Sequence, residues 1–133
     1  MIEFVTLEFL ASQGVSWALR KAADKANPTN KITHDMENHT VTIGVEGIIT
    51  SSTTYVVNGP PIETKIQSKS FQDTMKYLET GDGVIVTKVN EEDGYYITVK
   101  RQLSKCRQEM TITSTAVWPD KQVESIQYYS RIK

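Results

Sequence analysis

The sequence predicts an all-β, antiparallel fold led by a short helix, with its strands wrapped around a wet interior. Three observations predict it. From Lys31 onward the chain breaks into short β-rich runs separated by tight turn signals. A single stretch near the start has helical spacing. Several candidate inner rows carry polar groups that a dry core would reject. The first two observations leave a closed barrel and a two-sheet sandwich both open. The third favours a barrel wide enough to hold water and a ligand.

The helical stretch is "GVSWALRKAADKANP", where Val15, Ala18, Leu19, Ala22 and Ala26 recur at helical spacing and Arg20 can pair with Asp24. It stops at Asn27 before Pro28. Its apolar face is built from small residues, so it is expected to lie against the strands as a lid. "KITHDMENHTVTIGVEG" then reads as two strands around Glu37 and Asn38. "IITSSTTYVV" is β-branched and ends at "NGPP", a strong turn signal. "IETKIQSKSF" and "DTMKYL" follow, and "ETGDG" turns into "VIVTKV". "NEEDG" turns into "YYITVKRQL", "SK" leads to "CRQEMTITSTAVW", and "PDKQ" turns into the closing "VESIQYYSRI". This is a meander of eight or nine strands.

Side chains alternate across a strand, so parity assigns faces. In "YYITVKRQL", Ile97, Val99 and Leu103 share one face and Arg101 falls among them. In "CRQEMTI" the candidate row is Cys106, Gln108, Met110 and Ile112; in the last strand it is Ser125, Gln127 and Tyr129. Each polar group left unsatisfied in a dry core would cost about 1–3 kcal/mol, and an unpaired charge more.

Composition bounds the function. The chain has 133 residues with 38% apolar and 23% charged, the profile of one folded domain over 1–133. Its net charge of −1 argues against nucleic acid as a partner. One cysteine, Cys106, makes neither an internal disulfide nor a zinc cluster and suits a reducing compartment. No apolar run approaches the roughly 20 residues of a membrane span, and "MIEFVTLEFLASQ" lacks the basic start of a signal peptide. A cytoplasmic monomer is expected. His34 and His39 have no third ligand at sensible spacing, and no catalytic constellation is present, so neither a metal, a cofactor nor an enzymatic activity is expected.

These runs, in this order, resemble the intracellular lipid-binding proteins, the family of the fatty-acid-binding and cellular retinoid-binding proteins. "GVSWALRK" is similar to the family's lid segment, "KIT" with "TVTI" to its second and third strands, and "SIQYYSR" to its closing strand. The resemblance covers about residues 14 to 133. It implies a flattened up-and-down barrel of about ten strands under a helical lid, holding a hydrophobic ligand. It also implies that Arg101 meets the ligand carboxylate and Tyr129 donates its hydroxyl to it. Gln127 stands where fatty-acid binders carry a second arginine. Val99, Met110, Ile112 and Met75 would line apolar wall.

A long-chain fatty acid or similar hydrophobic carboxylate is therefore the expected ligand, carried without chemistry. A retinoid or bile-acid carrier of the same fold is the alternative, because retinol binders use glutamine near this position. A ligand-free β-domain acting as an interaction module, with a dry core, is a further alternative. The lid and adjacent turns would open to pass the ligand, since a closed barrel has no permanent opening of that width. The basic cluster Arg20, Lys21 and Lys25 reads as a solvated helix face, while the resemblance implies the alternative of a transient foothold on anionic membranes. Three departures from the family stand out. "MIEFVTLEF" is too short for both a full first strand and a full first helix. "SKSFQDTMKYLETGDG" is about two residues longer than usual. The last hairpin is extended, which puts Trp118 and Pro119 at a barrel end.

Overall fold

Among the described residues, turn chemistry separates ten strands. A computed structural model describes residues 2–6, 29–46, 51–66 and 68–131. The strands are β1 (Ile2–Thr6), β2 (Thr29–Asp35), β3 (Thr40–Glu46), β4 (Ser51–Val56), β5 (Ile62–Ile66), β6 (Lys69–Tyr77), β7 (Gly83–Asn90), β8 (Tyr95–Leu103), β9 (Glu109–Trp118) and β10 (Lys121–Arg131). The expected lid, with Trp17, Arg20, Lys21 and Lys25, lies outside the described residues.

Side chains and backbone shape close the turns. Between β2 and β3 the Asp35 carboxylate accepts from the Asn38 backbone N–H at 3.2 Å and from its side-chain amide at 2.8 Å. Between β7 and β8 the Asn90 Oδ1 accepts from the Asp93 N–H at 2.7 Å, and Gly94 takes the positive φ of 70° that reverses the chain. Gly83 serves a different need. A Cβ there would collide with the Arg101 carbonyl oxygen, so only glycine lets β7 approach β8 this closely.

The strands form one antiparallel sheet in the order β4-β3-β2-β1-β10-β9-β8-β7-β6-β5. Chain neighbours pair throughout except β4 with β5, while β10 returns to pair with β1. β1 is five residues long, Ile2–Thr6, and the choice between a shortened first strand and a shortened first helix falls on residues outside those described. β9 and β10, at 10 and 11 residues, are the longest strands and pair fully from Trp118 and Lys121 downward, which is the extended last hairpin.

Three expectations need correction. The barrel is not closed by hydrogen bonds: β4 and β5 are the two edges of the sheet. The intervening "NGPP" explains this. Asn58 has a φ of 61°, its N–H donates to the Met75 carbonyl of β6 at 2.8 Å, and Val57 bridges to Met75. Two prolines follow, which offer no N–H to a ladder. The chain is thus handed to β6 before β5 begins, and no β4–β5 hairpin forms. Second, Cys106 and Gln108 are not inner-row residues. They sit exposed in the turn before β9, where the Arg107 N–H donates to the Ser104 carbonyl at 2.9 Å and Arg107 has a φ of 59°. Third, the break between the fifth and sixth strands falls before Lys69, at Ser68 with its φ of 72°, rather than after "SKSF".

The apolar interior forms two clusters. Phe71, Ile97, Val99, Met110, Ile112, Ala116 and Tyr129 make one. Val41, Ile43, Tyr55, Val57, Met75, Val84 and Val86 make the other. Buried polar groups come with them: Asn30, Asp73, Asn90, Ser114 and Gln127. The ten strands form one continuous sheet rather than two, which is not the arrangement of a two-sheet sandwich, and a cavity lies between these walls.

Candidate functional site

The cavity has a volume of about 280 Å³. Val99, Ile112 and Tyr129 of the first cluster and Ile43, Tyr55 and Val86 of the second supply its wall. β4 and β5 both contribute, through Ser51, Thr53, Thr64, Lys65 and Ile66, so the unpaired edges curl close enough to share one interior. A second cavity of about 160 Å³ is lined by Ile32, His34, Val41, Tyr77, Leu103 and Met110 among others. Arg101 lines both.

The register builds the polar end. Arg101 of β8 pairs with Ile112 of β9, and Ile112 pairs with Gln127 of β10. These three therefore form one row across the sheet, with Arg101 and Gln127 two strand spacings, or about 10 Å, apart at Cα. Tyr129 lies one inward position along β10 and pairs with Met110. Its hydroxyl donates to the Gln127 Oε1 at 2.7 Å, which orients the amide with its nitrogen as the donating end.

Arg101 is partly buried as a residue, but its Nε is cut off from solvent and has no hydrogen-bond partner. Burial holds its pKa below the ordinary arginine value, opposed by the nearby Tyr129 and Tyr55 hydroxyls. Arginine stays charged even so. Among the described residues no carboxylate pairs with it.

The other buried cation is paired. Lys88 of β7 faces Asp73 of β6 in the register and donates to its Oδ2 at 2.6 Å, with the carboxylate fully buried. Tyr55 donates to the same oxygen at 2.9 Å, and Lys88 also donates to Thr64 Oγ1 at 3.1 Å. Burial, and then the negative Asp73 beside it, push the Tyr55 phenol well above its ordinary pKa. Lys65 also reaches the cavity but is solvent-exposed. Of the two cations drawn into the wall, Lys88 is neutralised and Arg101 has no countercharge among the described residues.

Of the residues expected from the sequence, Arg101, Gln127, Tyr129, Val99 and Ile112 come together around the larger cavity. Met110 lines the smaller one. Met75 is buried in the second cluster and lines neither. Sequence reasoning missed Asp73, Lys88, Tyr55 and Ser114. The parity that picked out Arg101 also puts Asp73 between Phe71 and Met75, and Lys88 between Val86 and Asn90. His34, expected to bind no metal, has its Nε2 2.9 Å from the Tyr77 hydroxyl. Among the described residues, no group of three or more His, Cys, Asp or Glu is placed to hold a metal ion, and no helix is long and apolar enough to cross a membrane.

No protein-family model and no curated protein matches the sequence. Solved structures do match. Fatty-acid-binding protein 1 of Echinococcus granulosus superposes with a TM-score of 0.75 at 12% identity, over 98% of this chain and 96% of that one. Human cRBP IV gives 0.72 at 14% identity, over 98% and 96%. Secretory abundant heat soluble protein 4 of Ramazzottius varieornatus gives 0.71 at 12% identity, over 98% and 93%. The resemblance to the lipid-binding proteins is borne out at the level of the fold.

Proposed function

We propose that the chain is a carrier that encloses a long-chain fatty acid or a similar hydrophobic carboxylate. One observation carries this reading: Arg101 presents a desolvated positive charge to an internal cavity, with no described carboxylate to balance it. A ligand carboxylate supplies the missing charge and accepts from the guanidinium fork. The acyl chain lies against Val99, Ile112, Ile43 and Val86, contributing about 0.8 kcal/mol per buried methylene. Gln127, oriented by Tyr129, is the second head-group contact. The likeness of the fold to a fatty-acid-binding protein supports the reading.

A retinoid-type alcohol is the second reading, favoured by Gln127 and by the likeness to cRBP IV. It leaves the charge on Arg101 uncompensated, so the carboxylate is preferred. The carrier acts as one domain over 1–133, without catalysis and as a monomer in the cytoplasm. Its lone cysteine, free and exposed, supports the reducing compartment. Displacement of a bound fluorescent fatty acid by unlabelled fatty acid, retinol and bile acid tests the reading. The fatty acid is expected to displace best. Failure to take up the probe at all would favour the interaction-module alternative.

A further inference from the structure

The polar groups of the cavity do not stop at the head-group row. Ser114 of β9 lines the cavity two residues from Ile112, its side chain pointing to the same interior. It is 2% exposed, yet its Oγ has no hydrogen-bond partner. Its cross-strand neighbours explain why. Val99 of β8 offers no polar side-chain atom, and Ser125 of β10 leaves the Oγ unsatisfied. The nearest charged pair, Lys88 with Asp73, is one inward row further along, opposite Ile97 rather than Val99. Ser114 is therefore an unsatisfied hydroxyl on the row between the Arg101 row and the Lys88 row. The Arg101 row lies roughly 7 Å to one side of it along the strand, and the Lys88 row the same distance to the other.

A smooth hydrocarbon tail passing from Arg101 toward Lys88 offers this hydroxyl no partner. The hydroxyl is already out of contact with solvent and unsatisfied, and a saturated chain leaves that penalty standing. A ligand that carries an oxygen there removes the penalty. A serine hydroxyl both donates and accepts, and so does an alcohol, so the two satisfy each other in either direction.

We propose that Ser114 is a second polar contact of the site, and that the preferred ligand is a long-chain carboxylate bearing a hydroxyl along its chain. This rests on the carrier reading, with the carboxylate at Arg101, and adds a specificity-determining position to it. Stations at fixed spacing along one cavity make the preference depend on where the hydroxyl sits, not merely on its presence.

Equilibrium binding of stearic acid and a positional series of monohydroxystearic acids to the full chain tests this, alongside Ser114→Ala and Ser114→Thr. One positional isomer, or two adjacent ones, is expected to bind at least about fivefold tighter than stearic acid. Ser114→Ala is expected to erase that preference while binding stearic acid as well as or better than the unsubstituted protein. Ser114→Thr, which keeps the hydroxyl, retains the preference. If the isomers bind no tighter than stearic acid, water alone serves the hydroxyl and the proposal is overturned with the carrier reading intact. A preference that survives Ser114→Ala overturns it equally. If no acid binds, the carrier reading falls and takes the proposal with it.

Discussion

Replacing Arg101 with methionine separates binding from stability, because the two move in opposite directions. The side chain keeps its volume and loses its charge. In the unliganded protein its Nε is buried without a partner, so removing it relieves a desolvated charge. Replacing buried ionic groups by apolar ones is often stabilising, by about 1–4 kcal/mol. Each kcal/mol shifts the midpoint of a chain this size by roughly 4 °C. The delipidated Arg101→Met protein is therefore expected to melt several degrees higher in calorimetry. Its affinity for palmitate should fall. Hydrogen bonds from a charged donor contribute about 1.5–3 kcal/mol net, a loss of roughly 10- to 150-fold in Kd. Hexadecanol, with the same chain and no charge, should lose no more than about twofold. Titration calorimetry or fluorescence displacement reads both. Equal losses for acid and alcohol, or unchanged palmitate affinity, would refute the claim that Arg101 holds a carboxylate.

Other consequences follow from the same geometry. Asp73→Ala strands Lys88 in the wall and should cost about 3–5 kcal/mol in urea unfolding; adding Lys88→Met should recover part of that loss. If the two effects were simply additive, the pair would carry no coupling. The raised pKa of Tyr55 predicts an alkaline effect of definite sign. Its contribution is fully present below its unfolded pKa of about 10 and is lost as pH rises toward its folded value, since the unfolded chain gives up the proton first. Tyr55→Phe should therefore show a shallower loss of stability above about pH 10 than the unsubstituted protein, in denaturant titrations at stepped pH. Gly83→Ala forces a Cβ into the Arg101 carbonyl and should destabilise by about 2 kcal/mol or more, weakening fatty-acid binding as β8 shifts.

How far the sequence could be read depended on whether a feature was local. Arg101 was legible because alternation within one strand needs no knowledge of the partner strand. Asp73 and Lys88 each obeyed the same rule. What makes them a pair is the register between β6 and β7, which only the assembled sheet supplies. Ser114 was hidden for a similar reason: a serine in a strand of threonines becomes conspicuous only when its neighbours fail to satisfy it. Cys106 and Gln108 were misplaced because alternation does not say where a strand begins, and Arg107 in the left-handed region delays β9 until Glu109. "NGPP" was recognised as a turn, but not as one that passes the chain to β6 and leaves β4 and β5 unpaired. That outcome depends on Met75, far along the chain.

Carriage of a fatty acid by this cavity requires an ionised carboxylate beside Arg101. Palmitate labelled with carbon-13 at the carboxyl, bound to the protein and titrated by NMR, addresses it directly. A positive charge within a few ångströms should hold the bound acid's pKa about 1–3 units below that of a free carboxylic acid. A distinct bound resonance is expected, one that keeps its ionised position well into the acid range and titrates at higher pH in Arg101→Met. A bound resonance that titrates like the free acid in both proteins, or no bound resonance at all, would contradict it.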